Sequence, residues 1–86
     1  MDSVITLTSK INNNKYSLYT DRITVDTGSE TINLTMPKES DYYICFHDLL
    51  YMGEKLYAVI ACRVGFDVKY EIDEINLKLI NKTPYK

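Results

Sequence analysis

Along much of this 86-residue chain, apolar and polar residues alternate one by one. A period of two places successive side chains on opposite faces of an extended strand. The clearest case is 67–73, where Val68, Tyr70 and Ile72 fall on one side and Asp67, Lys69, Glu71 and Asp73 on the other. This predicts a half-exposed strand with its charged face in water. The run before it, 56–64, is the most apolar of the chain, and Arg63 is its one charge. Tyr57, Val59 and Ile60 suit a pleated strand, and a short apolar run without alternation reads as a strand covered on both faces. Gly65-Phe66 lies between the two, and glycine accepts the positive φ of a tight turn. The two segments therefore form a predicted hairpin, the first strand central and the second nearer the edge.

The same reading extends through the chain. Ile5, Leu7 and Ile11 line the dry face of a first strand over 4–11. The asparagines at 12–14 supply a turn, and 15–20 returns with Tyr16 and Leu18 opposed to Ser17 and Tyr19. A second hairpin joins 22–26, with Ile23 and Val25 inward, to 31–36, with Ile32, Leu34 and Met36 inward, across a turn at Gly28. Residues 37–40 are polar and break the pattern. Glu74-Ile75 turns the chain into a last strand over 76–80, where Leu77 and Leu79 face the core. Residues 81–86 read as a polar, frayed tail.

Residues 41–53 support two readings. As a helix, Ser40 is the N-cap, Gly53 follows the last turn, and Tyr42, Cys45, Phe46, Leu49 and Leu50 share a face. As a strand, the segment is aromatic and apolar, and 52–55 turns into the central strand. Mediocre helix formers (Tyr, Cys, Phe, His) favour the strand. The fold expected is mainly β: a small antiparallel sandwich or barrel of seven to eight short strands, with one short helix within 40–52 as the alternative. The length suits a single domain over 1–86.

Composition changes this picture in three ways. Residues 1–10 lack the basic start and apolar stretch of a signal peptide. No run approaches the ~18 apolar residues of a membrane-spanning helix, so the expected location is the cytoplasm, with Cys45 and Cys62 as buried free thiols. The formal net charge is −2, but 41–74 holds seven acids against three bases, net −4. No basic patch is present to attract nucleic-acid phosphates, and a basic protein is the partner this charge favours. Eight tyrosines without tryptophan are more than a core this small holds, and tyrosine is a common interface anchor.

Chemistry is sparse. Cys45 and His47 share a face on a strand, and with Cys62 they offer three metal ligands. The fourth is missing and the spacing is loose, so two buried small hydrophobes and an edge histidine are the plainer reading. Burial in its Tyr-Tyr-Ile-Cys-Phe run would raise the Cys45 pKa, against a nucleophilic role. No phosphate loop or hydrolase motif occurs. No enzyme activity, metal or cofactor is expected.

Asp67, Glu71, Asp73 and Glu74 remain. They lack the glycine and spacing of a calcium loop, and they read either as a solvated face or as an acidic strip for a basic partner. Tyr70 and Tyr51 are the aromatic contacts expected beside them. A short, acidic chain without a catalytic motif, and rich in the residues of AT-rich genes, resembles the immunity proteins of bacterial antibacterial toxins, those of contact-dependent growth inhibition among them. Phage-encoded inhibitors of host defence have the same character. The resemblance implies a tight one-to-one complex that blocks a basic toxin, such as a nuclease, by occluding its active site or substrate groove; the chain itself is expected to be a monomer or weak dimer. A small β-barrel stacking nucleic-acid bases on tyrosines is the alternative reading.

Overall fold

The computed structural model describes residues 5–37 and 41–85. Eight strands follow one another: β1 (Ile5–Thr8), β2 (Lys15–Leu18), β3 (Arg22–Asp26), β4 (Thr31–Thr35), β5 (Tyr43–Met52), β6 (Lys55–Cys62), β7 (Asp67–Asp73) and β8 (Lys78–Tyr85). They make two four-stranded meanders, β1-β2-β3-β4 and β5-β6-β7-β8, with every neighbouring pair antiparallel. The sheets do not close into a barrel. Their inner faces meet in one core, to which β2 and β3 bring Tyr16, Leu18, Ile23 and Val25, and β5 to β7 bring Phe46, Leu49, Leu56, Ile60 and Ile72. The molecule is a small β-sandwich.

The turns fall where the expected residues lie. Asn13, Gly28, Gly53 and Gly65 all have positive φ. At the β3–β4 turn, Asp26 Oδ1 accepts from the Gly28 amide at 2.9 Å, fixing the residue that a Cβ would strain.

The ambiguous segment is strand β5, and the reason it mimics a helix is visible in its pairing. Register shifts against β6 fall between Tyr43 and Cys45 and between Phe46 and Asp48. Each bulge inserts one residue, Ile44 and then His47, so Tyr43, Phe46 and Leu49 all pair with core-facing residues of β6 at a spacing of three. Ser40, the alternative N-cap, lies outside the described residues.

Three further expectations are corrected. Strand β7 is interior rather than near an edge, because β8 continues to Tyr85 and pairs along its length. The segment expected to fray is held in this ladder, with a bulge where Asn81 takes φ 52°. Ile11 is exposed, since β1 ends at Thr8. On the outer side of β6, Val59 is fully buried between Asp48 and Lys69, but Tyr57 and Ala61 are half-buried and Lys55 is exposed, so the strand is covered on both faces at its middle and not throughout. Lys69 lies along that side with its ammonium 5.5 Å from the Tyr57 ring.

Candidate functional site

Three connections converge at one end of the sandwich: β1–β2 (9–14), β5–β6 (53–54) and β7–β8 (74–77). The last is a single helical turn. Asp73 Oδ1 accepts from the amides of Ile75 and Asn76, both at 3.0 Å, and Oδ2 accepts from Asn76 Nδ2 at 3.0 Å. The Leu77 amide closes the turn on the Asp73 carbonyl at 2.8 Å, with Leu77 in the left-handed region at φ 55°. The Asn76 amide, ahead of the other contacts, holds the Asp73 carboxyl below the usual carboxylate range. This turn points Ile75 into water, 74% exposed, and folds Glu74 inward, 7% exposed.

Glu74 ties the three connections together. Its Oε1 accepts from Ser9 Oγ at 2.7 Å, and both carboxylate oxygens lie 3.0 Å from the Tyr51 hydroxyl that donates to them. Tyr51 in turn accepts from the Lys10 amide at 2.9 Å. Ser9 Oγ also accepts from the Ile11 and Asn12 amides, and Asn12 Nδ2 donates to the Glu74 carbonyl at 3.1 Å. The Lys10 ammonium lies 4.6 Å from the Tyr51 ring centre and reaches the Gly53 carbonyl. A buried carboxylate satisfied by hydroxyl donors thus stands in for an ion pair; Glu74 takes part in neither salt bridge found among the described residues.

Beneath this node the Tyr16 hydroxyl is fully buried and has no hydrogen-bond partner among the described residues. Burial first, and then the negative charge of Glu74, pushes its phenol far above the ordinary tyrosine range. Burial also pushes the Tyr51 phenol up. The Glu74 and Asn14 side chains lie close enough to act on this hydroxyl but outside hydrogen-bonding geometry; a hydroxyl without a partner costs about 1–3 kcal/mol, so Tyr16→Phe is expected to stabilise the protein by roughly 1 kcal/mol, seen as a melting temperature several degrees higher. The sign of the pH effect follows from the raised folded-state values. The contribution is whole below the unfolded tyrosine value near ~10 and is lost as pH rises beyond it, because the unfolded chain ionises first. The Tyr16→Phe variant should therefore show a shallower alkaline limb in denaturation between about pH 10 and 12. A lower melting temperature at neutral pH would refute the orphaned-hydroxyl assignment.

Above the node lies an open groove of about 330 Å³, lined by Ile11, Glu54, Lys55, Leu56, Glu71, Ile72, Asp73, Glu74 and Ile80. Its lining holds four carboxylates and one ammonium. Lys55 Nζ sits 3.6 Å from Glu71 Oε1, which also accepts from Asn81 Nδ2 at 3.1 Å. Lys10 and Lys78 stand beside it, the latter paired in register with Asp73. Ile11, Ile75 and Met52 expose apolar side chains around these loops. The groove is acidic within, apolar at its rim, and its loops are held by hydrogen bonds.

The six residues singled out in the sequence are divided by the structure. Glu71 and Asp73 line the groove. Glu74 lines it too, but as a buried structural node, and Tyr51 serves that node. Tyr70 is core: its hydroxyl bonds that of Tyr43 at 2.8 Å and the rings meet edge to face at 6.3 Å. Asp67 lies at the opposite end of β7, accepting from the Cys62 amide at 3.1 Å. Glu54, Ile11, Ile75 and Met52 were not anticipated. Their signal was present for the isoleucines: an apolar residue inside a polar turn has no core to face.

Cys45 and Cys62 are half-buried rather than buried. The bulge at Ile44 pairs Cys45 with outward-facing Ala61, whereas Cys62 pairs with Tyr43, which packs on the core. Register therefore places the two thiols on opposite faces. The described residues bring together no group of three His, Cys, Asp or Glu suited to a metal. Several tyrosine rings counted as stacking surfaces carry a cation already: Tyr19 under Arg22, Tyr43 under Lys82, Tyr51 under Lys10 and Tyr57 under Lys69. No helix among the described residues is long and apolar enough to cross a membrane.

Fold and loop end together define a small open β-sandwich whose three-loop end holds a groove with a charged lining made mainly of carboxylates. No protein-family model, curated protein or solved structure matches the chain.

Proposed function

We propose that this protein is a binding protein rather than an enzyme, and that it holds a basic protein partner against the three-loop end. The observation that carries the reading is the convergence of Glu54, Glu71 and Asp73 on one groove, flanked by exposed Ile11 and Ile75 and held by the buried Glu74 node. Acidic groups steer and orient a basic partner. Apolar rim residues supply contact area, and loops ordered in advance lose little entropy on binding. Occlusion of a toxin's active site or substrate groove, as immunity proteins of bacterial toxins do, is the mode of action that this surface suits; a phage-type inhibitor of a host protein would use it in the same way. The tyrosine rings covered by Lys or Arg weigh against the base-stacking alternative.

The test is a pull-down from lysate of the source organism, with the wild-type chain and with Glu54→Gln/Glu71→Gln/Asp73→Asn as baits. The amides keep the shapes, and the asparagine side chain introduced by Asp73→Asn keeps an oxygen to accept from the turn amides. One basic protein is expected on the wild-type bait, bound at least tenfold more weakly by the triple variant, and released by salt. A partner held equally by both baits would reject the groove as its site.

A further inference from the structure

A second exposed surface lies at the opposite end of the molecule. Tyr42 and Ile44, at the start of β5, and Val64 and Phe66, in the β6–β7 turn, are each between 53% and 63% exposed. The two segments are neighbours, because the Arg63 amide donates to the Tyr42 carbonyl at 2.7 Å. The bulge that inserts Ile44 takes this end of β5 out of regular pairing, which blunts the edge against strand addition and leaves side chains, not backbone, to make a contact.

We infer that this patch is a two-fold interface between two copies of the chain. Its charges indicate the occupant. Asp41 and Arg63 flank the apolar residues and are both exposed, and Asp67 and Lys82 lie at the same end, the latter over the Tyr43 ring at 5.8 Å. With Asp21 and Arg22 of the β2–β3 turn, paired at 2.8 Å at the same end, the charges of the described residues here balance, unlike those of the groove lining at the other end. A two-fold contact brings each patch against itself, so Asp41 of one copy meets Arg63 of the other, whereas a strongly basic or acidic partner finds no complement. The size sets its strength. Four half-exposed side chains of this kind present roughly 400 Å², so the pair buries roughly 800 Å², below the about 1,200–2,000 Å² of stable specific interfaces and in the range of weak, transient contacts. The dimer is weak and leaves both acidic grooves free.

Sedimentation velocity on the full chain between about 10 μM and 1 mM tests this. The mass is expected to rise from the 10.0 kDa monomer toward twice that value. Phe66→Asp, on an exposed turn, should keep the wild-type melting curve and weaken association at least tenfold. Arg63→Asp should weaken it as well, and Asp41→Arg/Arg63→Asp should recover it by exchanging the pair. The groove variant Glu54→Gln/Glu71→Gln/Asp73→Asn should dimerise like wild type. A monomer throughout overturns the inference; so does a dimer untouched by Phe66→Asp, or one abolished by the groove variant.

Discussion

Replacing Glu74 by alanine is expected to cost about 2–3 kcal/mol and to lower the melting temperature by roughly 10–20 °C. Two opposing effects decide the value. Removing a buried carboxylate relieves its desolvation, which taken alone would stabilise. The donors aimed at it are then left behind: Ser9 Oγ and the Tyr51 hydroxyl lose their acceptor, at about 1–3 kcal/mol for each group that finds no water. Two orphaned donors outweigh one relieved charge. Glu74→Gln separates the contributions. Its carbonyl oxygen still accepts from Ser9, and its amide can donate to Tyr51 if that hydroxyl turns, so a smaller loss, about 1 kcal/mol, is expected. Hydrogen exchange adds a local readout. The Lys10, Ile11 and Asn12 amides donate to the Tyr51 and Ser9 hydroxyls, and in Glu74→Ala they should lose protection ahead of the strand amides. Unchanged melting together with unchanged Lys10 protection would remove Glu74 from its role as the tie. Any partner of the three-loop end should also bind Glu74→Ala more weakly, although Glu74 itself is buried, because the loops would have to be ordered on binding.

The largest single loss is expected at Ile60. Its side chain is fully buried on the inner face of β6, between Phe46 of β5 and Val68 of β7 in the pairing. Truncation to alanine removes three carbons from a closely packed interior and leaves a cavity that flanking strands cannot fill, at about 3–4 kcal/mol. For a domain of this size the melting temperature should fall by roughly 15–25 °C, and much of its total stability would go with it. Val64 lies four residues further along the same apolar run and is 63% exposed. Val64→Ala, measured at low protein concentration, should stay within about 0.5 kcal/mol of wild type. Urea denaturation of both variants checks the pair; similar losses would mean that β6 ends later and is buried further than the structure places it.

That comparison shows where the sequence ceases to inform. Within 56–64 every residue but Arg63 is apolar or small, so periodicity cannot separate Ile60 from Val64; burial is decided by where β6 leaves the sheet. In 41–53, two bulges impose a spacing of three on the inward residues, and a strand borrows the signature of a helix. Bulges depend on the partner strand and leave no local mark. The acidic strip is a third case. Alternation assigned Asp67, Glu71 and Asp73 to one face of β7 correctly. What happens at Glu74 depends on a helical turn, and on hydroxyls from Ser9 and Tyr51, 65 and 23 residues away in the chain.

The alternation of residues one by one determined the β class, the β1–β2, β3–β4 and β6–β7 hairpins with their turns, and most of the core, because these follow from backbone geometry and from the avoidance of water by apolar side chains. Which charges line one groove, which tyrosines are spent on the core or under cations, and which loops share an end were decided only by the packing of the two sheets. Those relations join residues distant in sequence, and no local pattern encodes them.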